Sequence, residues 1–135
     1  MKLKYLVFIP AVLFLAACDQ PNAPKEVGLG EVFEIAVGQS ADIRGEGLGV
    51  AFGSVPEDSR CPTDVDCIWG GNARVVLRLQ KKSQSGSLEL NTSVEPRQGD
   101  FLEYRIRLVD LKPVPVSEKP TPPDGYTAVL VVSKR

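Results

Sequence analysis

Cys61 and Cys67 are the side chains best placed to do chemistry, and they enclose Pro62-Thr63-Asp64-Val65-Asp66. A pair of thiols at this spacing can close a disulfide, hold a metal or cycle as a redox couple. In an exported chain the expected state is a disulfide. Closing so short a loop contributes about 2–2.5 kcal/mol, a useful part of the roughly 5–15 kcal/mol that keeps a small domain folded. Structural zinc is the rival reading, but it takes four ligands, and the chain contains no histidine and one other cysteine, Cys18. The spacing is not Cys-x-x-Cys, which argues against a thioredoxin-like redox pair. Asp58, Asp64 and Asp66 raise a calcium loop, yet the alternating carboxylates, central glycine and distal glutamate of an EF-hand are missing. The reading adopted is therefore no metal and no cofactor, with Asp58 paired to Arg60 and the other two aspartates solvated. Trp69, the only tryptophan, follows Cys67 and Ile68. It is read as a core plug closing the loop onto a sheet, against the alternative of an exposed aromatic in a recognition loop.

Cys18 has a different chemistry. Lys2 and Lys4 make a positive start, residues 5–15 an apolar run interrupted by Pro10, and Ala16-Ala17 a small-residue stretch before the cysteine. The apolar run is too short to cross a bilayer as a helix. Leu15-Ala16-Ala17-Cys18 resembles the bacterial lipobox, in which the cysteine thiol receives a diacylglycerol and the leader is cut just before it. An ordinary secretory leader would leave an unpaired third cysteine. Lipidation at Cys18 accounts for it, and implies a membrane partner through several acyl chains, which anchor stably. Asp19 next to the lipid site resembles the signal for retention in the inner membrane of enteric-type bacteria, so the expected location is the cell envelope, facing the periplasm.

The run Asp58-Ser59-Arg60-Cys61-Pro62, Asp64-Val65, Cys67-Ile68-Trp69, Gly71, Ala73, Val75 and Leu77 resembles an uncharacterised family of bacterial lipoproteins and secreted proteins. Weaker matches follow at Tyr104, Ile106, Leu108, Leu111, Pro113 and Tyr126. Together they span most of residues 31–133. The resemblance implies an envelope-located all-β domain with a disulfide loop, and no activity.

The elements that must position these residues are strands. Phe33, Ile35 and Val37 share one face, Ala41 and Ile43 begin a second strand, and Leu48, Val50 and Phe52 mark a third. Gly49 and Gly53 predict a bulge or a close backbone approach there. Ala73, Val75, Leu77 and Leu79 alternate with polar residues, and Leu88 and Leu90 continue them as a hairpin across a polar turn at residues 81–86. Residues 96–100 read as a break. Tyr104, Ile106 and Leu108 alternate until Asp110-Leu111, where the strand must bend or end. Prolines 113, 115, 120, 122 and 123 favour an extended crossing. Residues 126–132 are apolar on both faces, as in a covered strand. No stretch has helical periodicity. The expectation is one all-β domain at residues 31–135, an antiparallel β-sandwich or small barrel of about seven strands. Residues 1–17 form the leader. Residues 18–30 form a polar tether, of which Asp19 to Gly30 reach about 40 Å when extended.

Without the two leader lysines, 14 basic residues stand against 17 acidic. That balance gives no nucleic-acid signature. The lack of histidine removes the commonest general base, and no Gly-x-Ser-x-Gly or Ser-x-x-Lys run is present, so an enzyme is not expected. A periplasmic enzyme would need two carboxylates facing across a cleft. The leading expectation is an anchored binding or structural module for an envelope protein, using the loop at residues 57–71, with Glu57, Asp58, Arg60, Thr63, Asp64, Asp66 and Trp69 as candidate contacts. The alternative is an anion-binding face. Arg74 and Arg78 point outward from one strand, Arg105 and Arg107 from another, and adjacent strands would cluster them for phosphate or carboxylate groups of lipid or cell-wall polymer.

Overall fold

The computed structural model describes residues 22–135; Cys18 and the leader lie outside them. Nine strands form two packed sheets: β1 (Lys25–Val27), β2 (Val32–Ala36), β3 (Ser40–Ile43), β4 (Leu48–Asp58), β5 (Ala73–Lys81), β6 (Gln84–Asn91), β7 (Gln98–Phe101), β8 (Tyr104–Lys112) and β9 (Thr127–Lys134). The five-stranded sheet has the order β1-β3-β4-β5-β6 and the four-stranded sheet β2-β9-β8-β7. The result is an open sandwich rather than a closed barrel.

Alternation in the sequence becomes the two-sidedness of each strand. Val50, Phe52, Val75, Leu77 and Leu79 of one sheet and Phe33, Ile35, Ile106, Leu108 and Leu130 of the other are buried in one continuous core. β5 and β6 form the expected hairpin. Its turn is only Lys82-Ser83, Lys82 taking a positive φ of 56°, so β6 starts at Gln84, earlier than the apolar residues indicate. The expected irregularity in β4 is a shift of register between Phe52 and Ser54, with a second before Glu57. β8 does not end at Asp110; it bulges between Leu108 and Asp110 and runs on to Lys112. β9 lies between β2 and β8, and Val129 on its outer side is buried.

Two elements correct the sequence reading. Residues 25–27, placed in the tether on composition, form edge strand β1, parallel to β3, and bury Val27. Residues 98–101, read as a break, form β7, which pairs with β8 through Gln98↔Arg107 to Phe101↔Tyr104. Both are three- or four-residue edges, too short to leave a periodic signal.

Candidate functional site

The loop between β4 and β5 stands at one end of the sandwich. Cys61 and Cys67 are bonded to each other. Its stem is a short pairing: Ser59 N–H donates to Asn72 O (2.7 Å) and Cys61 N–H to Gly70 O (2.8 Å). The tip is tied to the proline-rich crossing. Thr63 N–H donates to Pro115 O at 3.0 Å, and Asp64 accepts from the backbone N–H of Ser117 at 3.0 Å and from the Ser117 hydroxyl. Those Ser117 hydrogen bonds hold the Asp64 carboxyl below the usual range. Asp64 is thus engaged, not merely solvated, whereas Asp66 is exposed and unpartnered among the described residues.

Asp58 and Arg60 fasten the loop to both sheets. Arg60 Nε and Nη2 donate to the two carboxylate oxygens of Asp58, each at 2.8 Å. Nη1 donates to Leu111 O (2.7 Å) and Nη2 to Pro113 O (3.1 Å), and Tyr126 Oη donates to Asp58 at 3.0 Å. Asp58 belongs to the five-stranded sheet, Leu111 to the other, so one ion pair bridges the sandwich. Burial opposes charge on Asp58, but the Arg60 and Tyr126 hydrogen bonds outweigh it and hold its carboxyl below the usual range. The side chains of Arg60 and Asp58 are only 11% and 13% exposed. As candidate contact residues they are corrected to an internal clamp, since the donors on Arg60 that point inward are already used.

Trp69 is not a core plug. It is 58% exposed, and Ile68 is fully exposed at 107%. The physical reason is that the stem turns at Gly70 and Gly71, so the disulfide loop projects past the end of the core, which Tyr126, Leu111 and Ala73 already close. Val65, Val114 and Val116 are also exposed, so this end carries five of the eight exposed large apolar residues in the described chain. Apolar residues exposed singly need no explanation, whereas several gathered at one end form the kind of surface that can meet a partner. Ile68 was visible in the sequence as a neighbour of Trp69. Nothing marked Ser117, Val114 or Val116, which reach the loop only through the chain's long return.

The four arginines do not form one patch. β5 and β8 lie in different sheets, so Arg74 and Arg78 face out on one side of the sandwich and Arg105 and Arg107 on the other. Arg105 is held by Asp100 through two hydrogen bonds of 2.9 and 3.2 Å. Arg74 pairs with Glu89 at 3.4 Å, while its buried Nε has no partner. Arg107 lines a small cup of about 310 Å³ with Arg97 and Glu95.

A second polar cluster closes the opposite end. Tyr104 Oη donates to Glu46 (2.6 Å), and Lys81 Nζ donates to Glu103 (2.5 Å) and to Tyr104 Oη (2.6 Å). Its hydrogen bonds to Glu103 and then Tyr104 push the Lys81 ammonium up to about 12. Glu46 and Glu103 are both held below the usual carboxylate range, the first by Tyr104, the second by Lys81. These hydrogen bonds join Lys81 of the five-stranded sheet to Tyr104 of the other and cover that end of the core. Among the described residues no group of His, Cys, Asp or Glu gathers to hold a metal, and no helix is long and apolar enough to cross a membrane.

The fold and loop together define a class, a disulfide-tipped β-sandwich with an apolar edge. Comparison with protein-family models, curated proteins and solved structures finds no match.

Proposed function

We propose that this is a bacterial envelope lipoprotein, anchored through Cys18, whose sandwich works by binding another envelope protein through the loop at residues 57–71. The observation that carries the reading is Ile68, fully exposed beside a half-exposed Trp69 on a loop closed by Cys61–Cys67 and clamped by Arg60. A rigid apolar tip loses little entropy on docking, and tryptophan is the residue most enriched among those that dominate binding energy. Asp64 and Asp66 put negative charge at the tip itself, which suits an apolar pocket with a basic rim. The same charges disfavour insertion into an anionic lipid leaflet.

The test places a photo-reactive side chain at Val65 of the lipidated protein in intact cells. The partner is identified, purified and titrated against the mature protein. Trp69→Ala and Ile68→Ser are expected to weaken that purified complex about 30-fold each, the scale of a 2 kcal/mol contact, with thermal melting unchanged. Cys18→Ser is expected to release the protein from the membrane fraction. Folded loop variants that bind as tightly as the natural chain would remove the loop from the function. A Cys18→Ser protein that stays with the membrane would remove the anchor.

A further inference from the structure

Away from the loop, the outer face of the five-stranded sheet carries a trough of about 750 Å³. Its floor is β4, where Gly49 and Ala51 face outward, and the bulge residue Gly53 follows just beyond the lining. Register sets Asp42, Gly49, Gln80 and Ser85 in one row across four strands, and Ser40, Ala51, Arg78 and Ser87 in the next. A Cβ on Gly49 would lie 3.4 Å from Asp42 Oδ1, and one on Gly53 would lie 3.8 Å from Arg78 Cζ. The carboxylate therefore overhangs one end of the floor and the guanidinium the other, four residues or roughly 13 Å apart along the strand. Asp42, Gln80 and Arg78 have no side-chain partner among the described residues, so their polar groups are open to a ligand in the trough.

We propose that this trough binds a short extended glycan segment with one acidic sugar among neutral ones. Sugar rings offer an apolar C–H face and a rim of hydroxyls. The floor of glycine and alanine accepts the first, while Asp42, Gln80, Ser85 and Ser87 meet the second with planar or short hydrogen-bonding groups. Arg78 gives a two-pronged site for a uronate carboxylate. Asp42, at the other end, repels a second negative charge but accepts hydroxyls, so the ring that reaches it is a neutral one. A polyphosphate would meet that same repulsion. An extended peptide would find no free strand edge here, because β4 is paired on both sides and its backbone groups are spent in the ladder.

The experiment is ¹⁵N chemical-shift titration of the mature protein with an acidic oligosaccharide of one glucuronate and two N-acetylglucosamine residues. A neutral N-acetylglucosamine oligomer and inorganic phosphate serve as comparison probes. Saturable shifts are expected at Gly49, Ala51, Arg78 and Gln80, at least tenfold weaker with the neutral oligomer. Gly49→Val fills the trough where the backbone has room and suits a strand, so it should abolish binding with no loss of melting temperature. Arg78→Gln, an exposed change, gives a second variant, expected to bind the acidic oligomer about tenfold more weakly. Trp69→Ala should leave the titration unaltered, which separates this site from the loop. Absence of saturable shifts with the acidic oligomer would overturn the proposal. So would binding that survives both trough variants. Phosphate reproducing the same shifts would reduce the site to a simple anion contact and overturn it too.

Discussion

Gly71→Ala is expected to unfold the loop stem and cost the protein about 4 kcal/mol or more, the range reserved for substitutions that break a fixed backbone arrangement. Gly71 sits at a φ of +72°, which already disfavours a side chain by about 1–2 kcal/mol. Lack of space costs more. A Cβ there would lie 1.8 Å from the carbonyl oxygen of Ser59, 2.6 Å from its carbon and 2.7 Å from Arg60 Cα. All three are backbone atoms, so no rotamer can relieve the overlap; the strand from Ser59 to Cys61 must move away. That breaks the Ser59–Asn72 and Cys61–Gly70 hydrogen bonds and pulls Arg60 from its carbonyl partners. Gly70 has nothing within 4 Å of a Cβ, so Gly70→Ala is the matched control and should be nearly silent. Thermal unfolding of both variants decides this. For a chain of this size 1 kcal/mol is about 4 °C, so a fall of roughly 15 °C is expected, and a Gly71→Ala protein melting like Gly70→Ala would refute the argument.

Arg60→Ala should destabilise by about 3 kcal/mol, at the lower end of the range for removing one member of a buried pair. The loss is not only the ion pair. Leu111 O and Pro113 O lose their donors, and Asp58 is left partly buried with Tyr126 alone. Arg60→Lys should recover little, because an ammonium cannot reproduce the fork that grips Asp58 and two carbonyls together. The clamp also gives acid sensitivity with a definite sign. The Asp58 carboxyl titrates below its ordinary value of 3.8 in the folded protein. Its contribution is therefore complete above that ordinary value and lost as pH falls through the lower, folded one. Denaturant unfolding from pH 6 down to pH 2 should show the gap between the natural and Arg60→Ala proteins narrowing at the acid end, the share owed to the Leu111 and Pro113 carbonyls remaining. Parallel curves would mean that Asp58 is not the group through which Arg60 acts.

These effects bear on function because the loop's exposed tip depends on its buried base. The sequence motif holds two kinds of residue side by side. Asp58, Arg60 and Gly71 fix the loop, and Ile68 and Trp69 are what the fixed loop displays. Residue type separates them poorly. An arginine and an aspartate read as surface contacts, and a lone tryptophan reads as core, yet here the roles are reversed. Trp69 stands out because Ser59 and Cys61 pair with Asn72 and Gly70, carrying residues 63–70 beyond the sheets. The contrast extends to the arginines of β5 and β8. Their outward direction followed from alternation, while their separation onto opposite faces followed from sheet order.

From its sequence alone, this protein is an all-β chain. Period-two alternation is a local consequence of the pleat, so β2 to β6, β8 and β9 could be read strand by strand, and the bends at Gly53 and Asp110 with them. The cysteine pair was readable for the same reason, since six residues of separation bring the two within reach whatever surrounds them. Tertiary structure decided what depends on distant partners. It made edge strands of residues 25–27 and 98–101, whose few residues hold shape only against β3 and β8. It brought Leu111, Pro113 and Tyr126 onto a clamp some fifty to seventy residues away in the chain. It also laid Asp42, Gly49 and Arg78 along one trough. Side chains from separate strands meet according to register and sheet order, and neither is written in the spacing of any one strand.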